Sequence, residues 1–193
     1  MTTAEDTRRR ILDAATAEFA EHGIAGARVD RIATRSGMSK PMLYAYFGAK
    51  DRLFDAVFDD HVLGNGDRVP FTPDDLPGYA ARLYDDYVGD PALMRLVMWK
   101  RLEREPHGFL YTGRESTDSD HVREIAEQQR LGTVRDDVEA ADAWALLLAT
   151  AATWAQQSLT AVATELDAPS LHARRRAALA ATIRGGLCTP KRA

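Results

Sequence analysis

The chain has 193 residues, of which 45% are hydrophobic and 28% charged, with a formal net charge of −4; that is ample core material for one compact unit or for a small module joined to a larger one. Its single cysteine, Cys188, excludes an internal disulfide framework and a multi-cysteine zinc site. No apolar run is long enough to span a bilayer and the N-terminus has no signal-peptide pattern, so a cytoplasmic protein without membrane contact is expected.

Within residues 7–22 the apolar positions Ile11, Leu12, Ala15 and Phe19 fall at helical spacing, and Gly23 is placed to end that helix. Residues 27–36 and 39–47 read as two short helices joined by a tight turn. Val29, Ile32 and Ala33 share one face, Ser36-Gly37-Met38 interrupts the pattern, and Leu43 and Phe47 resume it. Gly37 supplies permissive backbone for the turn, Ser39 is a good N-cap, and Pro41 sits in the first turn, where no intrahelical amide is lost. With Leu43 and Phe47 turned inward, the outward face presents Ser39, Lys40, Pro41, Tyr44 and Ala45: hydroxyl, cation, apolar wedge, phenol and methyl. A major-groove reader is built in this way.

A fourth helix is predicted over 50–62 from Leu53, Phe54, Val57 and Phe58, with Gly64-Asn65-Gly66 stopping it. The proline- and glycine-bearing stretch to Pro77 reads as a loop or hinge. Next come a helix with the stripe Leu76, Tyr79, Ala80, Leu83, Tyr84 and Tyr87, closed by Gly89-Asp90-Pro91, and one that is apolar almost all round from Leu93 to Trp99, as for the central helix of a second domain. Residues 106–118 read as a loop carrying Phe109, Leu110 and Tyr111, and 120–131 as a mostly polar helix. Residues 136–166 begin with acids and hold neither glycine nor proline, which predicts one long helix; a last helix runs from Ser170 to about Gly185. No segment has a strand period, so the expected class is all-α.

The charge is divided along the chain. Through Arg52 there are nine Lys and Arg against seven Asp and Glu, and beyond it sixteen against twenty-two. The weakly basic end is the one carrying the helix pair, and the acidic remainder would face away from DNA. Arg8, Arg9 and Arg10 could brace a groove as an N-terminal arm or be solvated at a helix start.

Residues 11–58 resemble the TetR-like transcriptional regulators, in ILDAATAEFAEHG, in VDRIATRSGMSKPMLYAYF and in GAKDRLFDAVF; the remainder is similar to that family in layout only. The resemblance implies a helix-turn-helix DNA-binding domain over 1–48 and a helical effector-binding and dimerisation domain over 49–193, linked by the 50–62 helix. It implies that Ser39, Lys40, Pro41, Tyr44 and Ala45 face double-stranded operator DNA, that Tyr46 and Lys50 touch phosphates, and that Arg28 and Asp30 start the preceding helix near the backbone. Ala27, Pro41 and Ala49 depart from the family's usual Thr, Gly and Ser, which puts operator sequence in doubt more than fold.

Other readings of particular residues stay open. His121 with Glu124, and Glu103 with His107, are helically spaced pairs, but two ligands do not make a metal site, and no cofactor or metal is expected. Phosphate-cradling glycine loops, nucleophile elbows and HExxH patterns are absent, so an enzyme is not expected. Tyr84, Met94, Met98, Trp99, His107, Phe109, Tyr111 and Trp144 each have a plain reading as core, and as a group they fit the wall of an apolar effector cavity. Ala149, Ala152, Leu159, Val162, Ala163, Ala177 and Ala181 are candidates for a homodimer interface in a four-helix bundle. The functional expectation is a repressor released from a palindromic operator by a small apolar or aromatic ligand. The alternatives are an activator, or an all-helical ligand-binding protein or enzyme without DNA binding.

Overall fold

In the computed structural model, which describes residues 3–104, 115–157 and 160–190 (backbone only at 115–117, 156 and 157), the first helix, α1 (Ala4–Gly26), starts on a reciprocal cap. Thr3 Oγ1 accepts from the Asp6 N–H at 3.1 Å, and the Asp6 carboxylate accepts the Thr3 N–H at 3.0 Å. The chain then forms α2 (Val29–Ser36), α3 (Lys40–Phe47), α4 (Lys50–Arg68), α5 (Leu76–Gly89), α6 (Pro91–Arg104), α7 (Glu115–Arg130), α8 (Ala140–Ala151), a π-helical turn (Thr153–Gln157) and α9 (Pro169–Leu187). Among the described residues the only strand-like pairing is a single antiparallel bridge between Val134 and Cys188. The all-α class is what the structure shows.

Packing divides the chain into two units, Met1–Asn65 with Pro91–Leu110, and Gly66–Asp90 with Tyr111–Ala193. In the first, Ile11, Leu12, Ala15 and Phe19 of α1 are buried together with Leu53, Phe54, Val57 and Phe58 of α4, the positions that the helical spacing singles out. Phe19 meets Phe54 edge-on at 5.2 Å. Helix α6 packs along α1, which corrects its expected place as the central helix of a second domain. Its charges decide this: Arg104 pairs with Asp55 at 2.9 Å, Lys100 lies 4.0 Å over the Phe58 ring, and Arg95 and Glu103 bond to α1 backbone. Apolar periodicity does not weigh such contacts.

In the second unit α5 takes the central role. Leu76, Tyr79, Ala80, Leu83, Tyr84 and Tyr87 are all buried, and α8 and α9 pack against it. The Asp75 carboxylate caps α5 by accepting the Gly78 N–H at 3.0 Å.

Two expected boundaries are corrected. Helix α4 continues through Gly64-Asn65-Gly66 to Arg68, whose guanidinium holds Asp86 and Asp90; poor helix formers weaken a helix without necessarily ending it. The single long helix over 136–166 is not formed. Gln129 Nε2 donates to Arg135 O and Val138 O and holds the acidic start as a turn. Helix α8 stops at Ala151, and Ala163 N donates to Trp154 O at 2.6 Å. Ala163 thereby joins a small core with Tyr84, Val88 and Leu179. Absence of glycine and proline permits a helix without compelling one, and Thr153, Thr160, Val162 and Thr164 weaken it.

Candidate functional site

The helix pair is built on local signals that the sequence carries. Gly37 ends α2 at φ +69°, in the left-handed region, with its N–H on Ala33 O and Thr34 O. Ser39 Oγ then accepts the Met42 N–H at 3.3 Å and starts α3. Ile32, Ala33 and Leu43 are buried on the shared seam, while Phe47 is half-buried beneath the Arg8 guanidinium, 5.8 Å from its ring centre.

Only Leu43 of α3 is fully buried. Ser39, Lys40, Pro41, Tyr44 and Ala45 are exposed, so the outward face is the one expected. Met42, 41% exposed, belongs to the same surface and is absent from the set read out of the sequence. Its position beside Leu43 in a helix of 100° steps is the available signal. Lys40 Nζ lies 3.0 Å from Asp30 Oδ1, and this pairing raises the lysine pKa above its ordinary value. Tyr46 is exposed and donates its hydroxyl to Ala4 O at 3.4 Å. Lys50 Nζ donates to Ala25 O and Ala27 O, both at 3.2 Å, leaving one of an ammonium's three N–H groups for a phosphate. Of the arginine cluster, Arg9 pairs with Asp13 and Asp60, Arg8 covers Phe47, and Arg10 lies against Gly37.

The start of α2 depends on a residue that sequence reasoning misses. Arg28 is the N-cap but its side chain makes no capping bond and is exposed. Instead Glu18, 1% exposed on α1, accepts the Arg28 N–H at 2.8 Å and Arg31 Nε at 2.7 Å. Burial disfavours the Glu18 carboxylate, but Arg31 and the Arg28 amide outweigh it, and its pKa lies below the ordinary glutamate range.

The candidate effector residues divide between the units. Met94 is buried and Met98 and Trp99 half-buried on α6, in the first unit. Trp99 lies against Gly23 and donates Nε1 to Ala20 O at 3.3 Å. Tyr84 and Trp144 are in the second unit; His107, Phe109 and Tyr111 fall outside the described residues. Trp144 belongs to a ring cluster with Phe71, Tyr79 and His121, with centroids 4.7–6.1 Å apart, and donates Nε1 to Asp118 at 3.2 Å. Burial pushes the Tyr79 phenol well above its ordinary pKa. Tyr84 belongs to a second, polar cluster. Its hydroxyl meets His172 Nδ1 at 2.8 Å, and the buried Arg175, paired with Asp167 at 2.5 Å, lies 5.8 Å over Trp154.

Of the interface candidates, Ala149, Ala177 and Ala181 are exposed on helices. Ala152 and Ala163 are buried within their own unit, Val162 is exposed on non-helical backbone, and Leu159 lies outside the described residues.

Comparison with known proteins places both halves. Residues 11–57 match the model of bacterial regulatory proteins, tetR family, and residues 75–184 match that of the tetracyclin repressor-like C-terminal domain. The chain is 39% identical over 155 residues to the HTH-type transcriptional repressor SCO4008 of Streptomyces coelicolor, covering 78% of this chain and 79% of that protein. It is 28% identical over 147 residues to the HTH-type transcriptional repressor NicS of Pseudomonas putida, covering 70% and 69%. The crystal structure of SCO4942 from Streptomyces coelicolor superposes with a TM-score of 0.79 at 36% identity, over 95% of this chain and 99% of that one.

Proposed function

The chain belongs to the TetR family of DNA-binding transcriptional regulators, and from that premise we propose that it is a repressor, bound to a palindromic operator as a homodimer and released by a small apolar or aromatic ligand. The exposed face of α3 carries the reading: Lys40, Pro41, Met42, Tyr44 and Ala45 project from a helix whose buried residue is Leu43, with Phe47 half-buried beside it. These side chains supply a cation and a phenol for phosphate or base edges, and apolar groups for thymine methyls. A mobility-shift assay on the DNA upstream of the protein's own gene tests it, using wild type, Lys40→Ala and Tyr44→Ala. Both variants are expected to fold as wild type does. A lost base contact costs about 1–3 kcal/mol at its base pair, and a lost phosphate contact flattens the salt dependence by about one unit of slope. Wild-type affinity in both variants removes the DNA face from α3.

Release by a ligand is a shift between two populations, and the ligand must favour the released one. The ring cluster of Phe71, Tyr79, His121 and Trp144 supports an apolar or aromatic effector, because flat apolar faces with few polar groups select such compounds. The test is a compound screen that follows tryptophan fluorescence and operator release together. An effector that releases DNA equally well from Trp144→Ala places the site elsewhere.

The dimer reading rests on two exposed stripes of small residues at four-residue spacing: Ala141, Ala145 and Ala149 on α8, and Ala173, Ala177, Ala181 and Gly185 on α9. Such faces allow close helix approach across a two-fold axis.

A further inference from the structure

Gly23 interrupts α1 at φ +74° and ψ −175°. An interrupted helix strands a carbonyl before the break and amides after it, and these need partners from elsewhere. Here α6 supplies them. Ala20 O, before the break, accepts from Arg95 Nε at 2.5 Å and from Trp99 Nε1 at 3.3 Å. Beyond the break, the N–H groups of Ile24 and Ala25 donate to the two oxygens of Glu103 at 3.1 and 2.6 Å. Arg95, Trp99 and Glu103 are four residues apart in turn, so they share one face of α6. Their polarity suits the break. The closing end of one helical segment is negative and meets a cation, and the opening end of the next is positive and meets a carboxylate.

The backbone from the break to α2 is then held group by group. Ala25 O and Ala27 O accept from Lys50 Nζ, Gly26 O from Arg31, and the Arg28 N–H donates to Glu18. We propose that Arg95, Trp99 and Glu103 are positioning residues for DNA binding: by holding α1 broken at Gly23 they determine where α2 begins, and through α2 where α3 is presented. None of the three needs to touch DNA. Because they lie on one rigid helix, a displacement of α6 along its axis withdraws all three partners from the break together.

The test uses full-length Glu103→Gln, Glu103→Ala and, as a control that weakens α6 without removing a polar partner of the break, Leu96→Ala. Binding is measured by fluorescence anisotropy on a duplex that the wild-type protein selects from a random-sequence pool, and on an unselected random duplex. Amide exchange is followed by NMR. Both Glu103 variants bind the selected duplex about tenfold more weakly, the scale of a lost charged hydrogen bond, and bind the random duplex within about twofold of wild type, since that binding is phosphate-driven. Ile24 and Ala25 exchange faster while Leu12 and Phe19 keep their protection. Leu96→Ala, at an equal or larger loss of thermal stability, keeps selected-duplex affinity within about twofold. Unchanged affinity in the Glu103 variants overturns the proposal, as does a loss in Leu96→Ala that matches theirs at equal stability. If the Glu103 variants do not fold, Trp99→Phe, which keeps an aromatic ring but loses the indole donor and part of the ring area, replaces them, read against Leu96→Ala at matched stability: selected-duplex binding several-fold weaker than that control supports the proposal, and binding equal to the control overturns it.

Discussion

The carboxylate of Glu18 and the backbone N–H of Arg28 lie 2.8 Å apart, so α2 is capped by a residue of the preceding helix and not by its own N-cap side chain. Replacing Glu18 by Gln removes the charge facing Arg31, and replacing it by Ala also leaves the Arg28 amide short of an acceptor, at a cost of about 1–3 kcal/mol. The folded carboxylate has a depressed pKa. Its stabilisation is therefore complete above the unfolded glutamate value and fades as pH falls through the folded one, from about pH 4 downward. Urea midpoints between pH 7 and 3 are expected to fall more steeply for wild type than for Glu18→Gln. Parallel curves would contradict the pairing.

Gly23 and Gly26 separate two effects of glycine. At φ +74° and ψ −175° Gly23 occupies backbone that side chains rarely adopt, and a Cβ there would come within 2.9 Å of the Trp99 ring. Gly23→Ala is expected to cost at least about 1–3 kcal/mol. Gly26 has helical backbone, and a methyl group there would meet only His22 Cβ, at 3.5 Å; Gly26→Ala is expected to be neutral or to stabilise by up to about 1 kcal/mol. Chemical denaturation of the two variants gives the comparison.

On the proposed DNA face, Asp30 is a competitor with DNA for Lys40. The pair is exposed on both sides, with Nζ and Oδ1 3.0 Å apart, so it is screened and weak. Asp30→Asn removes the competitor and one negative charge from the DNA-facing side. Binding to a random-sequence duplex is expected to tighten by about two- to fivefold at roughly 50 mM salt, with the gain shrinking above roughly 0.3 M. A gain that persists at high salt would mean that Asp30 acts through structure instead.

On the proposed dimer face, Ala177 is exposed in the middle of the α9 stripe. Ala177→Glu is expected to leave the circular-dichroism melt unchanged at low concentration while raising the dimer dissociation constant by at least about tenfold in sedimentation equilibrium. Wild-type association in the variant would move the interface off α9.

What is legible in the sequence is what rests on local signals. Ser39, Gly37, Leu43 and the α5 stripe announce themselves through capping, turn chemistry and period, and the structure has them where those signals put them. What escapes depends on long-range polar contacts. Glu18 looks like any surface acid of an amphipathic helix, and only the return of the chain at Arg28 and Arg31 buries it. Apolar counting misplaces α6 because it ignores Arg95, Lys100, Glu103 and Arg104, the residues that tie it to α1 and α4. The 136–166 segment shows the opposite error: a lack of helix breakers does not suffice for a helix, and the docking of Ala163 beside Tyr84 leaves no local trace in the sequence.

Helix α4 is made of its worst helix formers at Gly64-Asn65-Gly66, which together forgo roughly 2–3 kcal/mol relative to alanines. Within α4, local opening costs least there, and a protease would find the helix weakest at that point. Yet a cut at that point would not yield a self-sufficient DNA-reading fragment, because the first unit is discontinuous: α6 lies on the other piece, and with it Arg95, Trp99 and Glu103. Residues 1–65 transplanted onto a foreign second unit would carry α3 and leave behind the side chains that complete the backbone at Gly23. Any graft that is to keep the head intact must bring α6 with it.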